Sequence, residues 1–378
     1  MSKGSSNLLK AISTPLSSIF GSGFLVIVPI LAGAVGVYSV YAMAAVCVFA
    51  YAVGSVIRFN IRNAEPVLAD NPPENTMSFE RLSDLALVLA YVISVCLYLH
   101  ILAAFVLGAF HLDTELNENI LTTGVIIFIM VIGLTKGLGA LSILEKWGLI
   151  ITLIIIVLLI FGFAYYDWNA WRSPAGIQLF KASKHSTWEM ITIVAGTLIV
   201  VQGFETTRYL GEDFDANTRV KASRGSQIIS TLVYLVFIAV AMPLVHNLDG
   251  KFNDNSLIKL AGIASALLVA PLVIAAALSQ FSAAVADTLA ATGNMEEVTN
   301  KKLKAKFGTI LVGGGAIALS WSANTVEILA LASRAFAFYY MLQCLVAISV
   351  SKSMRQKIIF GLIAAVLAFI TIFAVPAS

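Results

Sequence analysis

Apolar residues run in blocks of about twenty along almost the whole chain, separated by short polar connections. A helix rises about 1.5 Å per residue, so a block of about twenty crosses a bilayer. Counted this way, the blocks predict eleven spans, over 12–36, 38–58, 82–110, 119–136, 140–166, 188–210, 226–247, 257–290, 307–322, 325–349 and 357–375. Two of them carry their own breakers. The first has Gly21-Ser22-Gly23 at its centre; the sixth is apolar to Val201, then turns to Gln202-Gly203-Phe204-Glu205. Each glycine costs a helix about 1 kcal/mol relative to alanine and admits φ values that other residues resist. Backbone freed at membrane depth is tolerated only where it faces protein or a polar cavity. One such break alone would serve close helix packing. Two breaks five spans apart enter the bilayer from opposite sides, the pattern of inverted halves with a site at the midplane.

Composition agrees with the pattern. The 378 residues are 59% hydrophobic and 12% charged, where a soluble domain carries about a quarter of its residues charged. The expected fold is therefore an all-α integral membrane protein with the lipid bilayer as its surroundings. No linker is long enough to house a soluble domain. Cys47, Cys96 and Cys344 stand alone in apolar runs and read as reduced packing residues. No cysteine–histidine or carboxylate–histidine spacing points to a metal, and no phosphate-binding glycine loop points to ATP hydrolysis. No cofactor, catalytic residue or nucleic-acid partner is expected, and the chain is not read as an enzyme.

The net charge of +3 matters through its distribution. With the N-terminus inside, the outer connections hold only Arg172, Lys181, Lys184, Lys251 and Lys259, and the inner ones hold the other basic residues of the connections. That asymmetry puts the N-terminus in the cytoplasm of a cell with the chain in its inner membrane, and Ser378 outside. The acidic stretch His111–Glu118 then faces outward. The start of the chain resembles a secretory signal, but Pro29 and the length of the apolar run speak against cleavage.

Three stretches resemble the amino acid–polyamine–organocation (APC) superfamily of transporters. Gly21-Ser22-Gly23-Phe24 followed by Pro29 is similar to the pattern of its first span. Gly203-Phe204-Glu205 resembles its sixth-span G-x-E, and residues 211–224 resemble the acidic-then-basic loop after it. Lys146 matches a lysine of several proton-coupled members. The resemblance implies a cytoplasmic segment 1–11, a five-helix repeat over 12–166, an inverted second repeat over 188–349, and an eleventh helix over 357–375. Both the first and the sixth helices would be discontinuous. Val201 stands where amino-acid-transporting members usually carry an aromatic residue, which keeps a potassium-type importer open as an alternative. A membrane sensor or accessory subunit that has lost turnover is the alternative of another class.

The breaks suggest the chemistry. Freed N–H groups at Ser22, Gly23 and Phe24 suit a carboxylate, and freed carbonyls near Ile199, Val200 and Val201 suit an ammonium or a metal cation. A zwitterion fits between them, so the expected solute is a small amino-acid-like molecule held by residues 21–24, Ile199, Val201, Gln202, Gly203 and Phe204. Lys146 is read either as a boundary residue beside Glu145 or as a proton-coupling group in the place of a sodium ion. Ser279 and Ser282 supply hydroxyls on the eighth span but form no adjacent pair, which puts sodium second to the proton. Glu205 reads as a gating or proton-linked carboxyl, or as an ion pair with Arg208. Arg334 in the tenth span calls for a partner, with Glu327 and Asp287 as the candidates. His100 reads as a core histidine, and Gly313-Gly314-Gly315 as close packing.

Overall fold

A computed structural model describes residues 3–21, 23–70, 72–138, 142–174, 176–180, 185–299 and 302–376; for residues 3–6, 142–146 and Glu297 it describes the backbone alone. The described residues are mostly helical and contain no strand. In chain order the helices are α1 (Lys3–Gly21), α2 (Ile27–Val35), α3 (Ser39–Phe59), α4 (Glu65–Ala69), α5 (Glu74–Gly108), α6 (Glu115–Thr135) and α7 (Ser142–Arg172). They continue as α8 (Thr187–Ala195), α9 (Ala216–Val245), α10 (Ser256–Ala264), α11 (Val269–Val298), α12 (Ala305–Ser320), α13 (Thr325–Val350) and α14 (Met354–Phe373).

Among the described residues, eight helical stretches are long and apolar enough to cross a membrane. The first and sixth of the expected spans fall short as single helices because each is broken, and α12 because it has 16 residues. The run 257–290, expected as one span, divides into α10 and α11. Ser265 takes an extended backbone and accepts from the Leu267 N–H, starting a tight turn over Ala266–Leu268. Pro271 then falls in the first turn of α11, where its missing N–H costs nothing.

The bundle is organised around α5, which beyond Asp84 is apolar on every side and packs between α11 and α13. A helix without a polar face is stable only when neighbours cover it all round; Tyr91, Tyr98, Leu99 and Phe105 of α5 are fully enclosed. Around this axis α1 packs on α9, α3 on α9, α7 on α11, and α14 against α13. Capping pins the helix starts beside the connections. Asp215 accepts from the Thr218 N–H at α9, and Asn324 forms a reciprocal cap with Glu327 at α13. The three cysteines are free and buried, as packing residues are.

Candidate functional site

The first break opens where α1 stops at Gly21. Gly23 holds φ at +137°, and its carbonyl accepts from the Val26 N–H at 3.1 Å, forming a turn before α2 begins. Pro29 lies in the first turn of α2, where no N–H is needed. In the second break, α8 ends at Ala195 and a tight turn follows over Leu198–Val201. Gln202 is extended, Gly203 holds φ at +126°, and a second tight helical turn runs over Phe204–Leu210.

The glycines bring the two breaks into contact. A Cβ at Gly23 would stand 2.9 Å from Val200 Cγ2, and one at Gly203 would stand 2.7 Å from the Ile19 nitrogen. Protein groups hold the intervening backbone. The Tyr234 hydroxyl donates to the Val200 carbonyl at 2.7 Å and lies 3.1 Å from that of Ile19. The Ile199 N–H donates to Ser333 Oγ, which itself donates to the Gly196 carbonyl. The Gln202 amide donates to the Tyr98 hydroxyl at 3.1 Å. Phe24 is enclosed by Phe20, Tyr234 and Phe237, while Phe204 stacks on Tyr340 at 5.2 Å.

Glu205 follows directly. One carboxylate oxygen, Oε2, accepts from the Gly203 N–H at 2.8 Å and from the Tyr340 hydroxyl at 2.6 Å. The other, Oε1, is buried without a hydrogen-bond partner. No ion pair reaches Glu205 among the described residues. Arg208, three residues on, instead donates to Glu80 of α5 and Gln343 of α13, both at 2.7 Å. Arg219 grips Glu65 with both terminal guanidinium nitrogens.

On the side of the breaks from which α1 begins lies a cavity of about 400 Å³. Its walls are α1 (Thr14, Ser17, Ser18), α5 (Tyr91), the 204–210 turn (Thr206, Tyr209, Leu210) and α11 from Ala283 to Asn294, including Asp287. Ser94 donates to the Asp287 carboxylate. A second, far smaller cavity of about 10 Å³ sits between α1, α7 and α11, lined by Ser17, Gly21, Gly148, Thr152, Ser279 and Ser282 among others. Thr152 Oγ1 and Ser282 Oγ are buried there without a hydrogen-bond partner.

This architecture of a helical bundle with two touching breaks has relatives. Residues 3–374 match a family described as APC superfamily transporter. The chain belongs to the APC superfamily of transporters. An uncharacterized protein of Aquifex aeolicus (strain VF5) is 38% identical over 368 residues, covering 95% of this chain and 89% of that one. Among solved structures, the Eremococcus coleocola manganese transporter is similar with a TM-score of 0.57 at 12% identity, over 98% of this chain and 87% of its own. Mhp1, a nucleobase-cation-symport-1 family transporter, is similar with a TM-score of 0.52 at 13% identity, over 88% and 77%. At these identities the likeness is one of fold.

In this APC transporter the expected residues fall in several places. Gly21, Gly23, Phe24, Ile199, Val201, Gln202, Gly203, Phe204 and Glu205 meet at the paired breaks. Asp287 lines the large cavity, while Ser279 and Ser282 line the small one. Ser22 and the side chain of Lys146 lie outside the described residues. Arg334 stands apart from all of these. It is exposed, and its Nε donates to the Thr371 carbonyl at 2.7 Å, near the C-terminal end of α14, not to Glu327 or Asp287. A cation there is favoured by the carbonyls of the last turn, and Glu327 is already engaged in capping α13. The pairing of Glu205 with Arg208 is likewise replaced by Tyr340 and Gly203. His100 bonds Ser320 at 2.9 Å in the core, and Gly313 packs directly under Met130.

Tyr98, Tyr234, Ser333 and Tyr340 complete the site and went unread in the sequence. Their one signal was a hydroxyl inside an apolar run, which many packed helices also show.

Proposed function

We propose that this APC transporter is a secondary active permease for a small ammonium-bearing organic solute, an amino acid first among the candidates, coupled to protons. The two repeats are 12–166 and 188–349, the helix over 357–375 stands outside them, and the N-terminus is cytoplasmic. The observation that carries the reading is Glu205. An ionisable group at membrane depth is a functional candidate by default, and this one sits within the second break with one oxygen unpartnered. Its other oxygen is held by the Gly203 N–H, so a change in its proton occupancy acts on the break itself. A solute ammonium arriving at the breaks supplies the positive neighbour that the described residues do not. Lys146 is retained as a second coupling residue on the family resemblance.

A manganese-type cargo, as in the Eremococcus coleocola transporter, is placed behind the organic solute. Among the described residues no trio of His, Cys, Asp and Glu converges as a metal cage does. The reading is tested in proteoliposomes with labelled amino acids and an imposed pH gradient. Wild type accumulates solute uphill; Glu205→Gln binds it but does not accumulate it. Uphill accumulation by Glu205→Gln would overturn the proton role.

The small cavity supports a second reading of the coupling ion. Thr152 and Ser282 offer two partnerless hydroxyl oxygens beside Gly21 and Gly148, in a space of the order of one small ion or water. Accumulation that follows a sodium gradient at fixed pH, and is lost in Ser282→Ala, would favour it over the proton.

A further inference from the structure

On the outside of the bundle α7 and α9 pack side by side and leave an open groove of about 350 Å³, lined by Ala164, Asp167, Trp168 and Trp171 of α7 and Val240 of α9. The groove sits where the apolar run 140–166 gives way to the connection before α8, the depth at which a spanning helix meets the lipid headgroups. Trp168 and Trp171 are 51% and 64% exposed, with ring centroids 5.6 Å apart. Tryptophans at that depth are ordinary membrane anchors; the carboxylate beside them is not. Asp167 is half-buried, and its Oδ1 is enclosed without a hydrogen-bond partner. Among the described residues no basic side chain pairs with it. Arg172, at the end of α7, instead lays its guanidinium over the Trp168 ring at 4.8 Å. An enclosed carboxylate oxygen without a donor is costly, so the groove lacks a donor, and a cationic one above all. One and two turns nearer the membrane middle the same faces continue as exposed apolar side chains, Phe161 and Val157 on α7 and Val236 and Leu232 on α9.

We propose that this groove binds a membrane phospholipid with a primary ammonium headgroup, a phosphatidylethanolamine. Asp167 Oδ1 accepts a hydrogen bond from the ammonium, the rings of Trp168 and Trp171 flank the cation, and Arg172 meets the phosphate. The acyl chains lie along Val157, Phe161, Leu232 and Val236. A lipid is the occupant because the apolar track is continuous with the charged groove, and a dissolved amine would fill only the upper part. The free oxygen of Asp167 asks for an N–H donor, which ethanolamine has and the trimethylated nitrogen of choline lacks. A glycerol headgroup brings no cation at all. The site is therefore selective for ethanolamine over choline and glycerol headgroups. It lies apart from the paired breaks and does not depend on which solute they hold.

The test titrates the purified, delipidated full-length protein in detergent with phosphatidylethanolamine, phosphatidylcholine and phosphatidylglycerol of identical acyl chains, and counts retained lipids by native mass spectrometry. Wild type retains a phosphatidylethanolamine in preference to the other two. Asp167→Asn weakens that lipid by about tenfold, as loss of a charge-assisted hydrogen bond does, and leaves phosphatidylglycerol unchanged. Trp168→Leu removes one ring and the seat of Arg172, and weakens it by about threefold; this variant decides the matter if Asp167→Asn does not fold. Equal retention of the three lipids by wild type overturns the proposal, as does unchanged phosphatidylethanolamine binding in either folded variant. Soluble phosphoethanolamine, equimolar with the lipid, is expected to leave the bound lipid in place. Displacement by that headgroup alone would overturn the lipid assignment and give the groove to a dissolved amine.

Discussion

The Tyr234 hydroxyl sits 2.7 Å from the Val200 carbonyl oxygen, on the second break, and 3.1 Å from the Ile19 carbonyl at the end of α1. One phenol on α9 thus ties together two interruptions that lie about 180 residues apart in sequence. The Ile19 carbonyl lies in the last turn of α1, among those a helix end leaves to other partners, and the Val200 carbonyl lies in a short tight turn. Both sit in a medium that offers no water.

Tyr234→Phe is expected to remove that tie while conserving the ring packing against Phe20 and Phe24. Loss of a buried hydroxyl partner costs about 2 kcal/mol. Thermal unfolding in detergent should drop accordingly, and solute uptake should fall further than stability does, because the breaks are no longer held in register. Wild-type uptake by the phenylalanine variant would show that the tie is incidental.

Gly203 is the second point of contact. Alanine there would be forced to φ near +126° with its Cβ 2.7 Å from the Ile19 nitrogen. Strain and clash together should cost about 2 kcal/mol or more, with uptake abolished. Gly361→Ala in α14, whose Cβ meets nothing within 4 Å, is the control and should be neutral or stabilising. Equal behaviour of the two variants in unfolding and uptake would remove the special role of Gly203.

Both breaks were legible in the chain because glycine and polar residues stand out in an apolar run: α1 stops at Gly21 as the signal predicts, while α8 already ends at Ala195 and a tight turn precedes the expected break at 202–205. The helix limits of α3, α12 and α13 followed the hydropathy for the same reason, whereas α5 and α9 begin at Glu74 and Ala216, in polar turns ahead of the expected runs 82–110 and 226–247. The division between α10 and α11 was hidden, since Ser265 carries no breaker signature and the apolar run continues through it. The partners were hidden for a different reason. Glu205 and Arg208 are one helical turn apart and invite pairing, but the backbone there is a tighter turn, and Glu205 folds back onto Gly203 while Arg208 reaches Glu80. Such choices are made by side chains more than a hundred residues away, which periodicity along one helix does not encode. Arg334 illustrates the converse: depth in an apolar run suggested a buried partner, yet a neighbouring helix end suffices.

The Arg208–Glu80 pair links the turn after the second break to α5, with Gln343 of α13 bonded to both. Their side chains are 9% and 14% exposed, so removing one charge leaves the other poorly solvated. Glu80→Gln should destabilise the protein by about 3 kcal/mol and raise labelling of a cysteine placed at Thr206, which lines the cavity. The pairing of Glu80→Gln with Arg208→Met should recover part of the stability. Additive losses in that double-mutant cycle would show that the two residues do not act as a pair.

Asp254 provides a pH signature away from the membrane interior. It lies in the connection between α9 and α10, partly buried, where its carboxylate accepts from Thr325 Oγ1 at 2.8 Å and so fixes the connection to the start of α13. Desolvation is the leading influence and raises its pKa above the ordinary carboxylate range; the Thr325 hydroxyl lowers it in part, and the nearby Asp113 adds to the rise. A carboxyl with a raised folded-state pKa holds its proton longer in the folded than in the unfolded chain. Its contribution is therefore fully present below the unfolded value of about 4 and is lost as pH rises through the folded value. The unfolding temperature of the purified protein should be higher in mild acid than at neutral pH. Asp254→Asn, which cannot ionise and keeps an acceptor for Thr325, should flatten that part of the profile and be the more stable protein at neutral pH. If the asparagine variant follows the wild-type curve across the whole range, Asp254 is not the group that sets it, and its hydrogen bond to Thr325 serves only to position the start of α13.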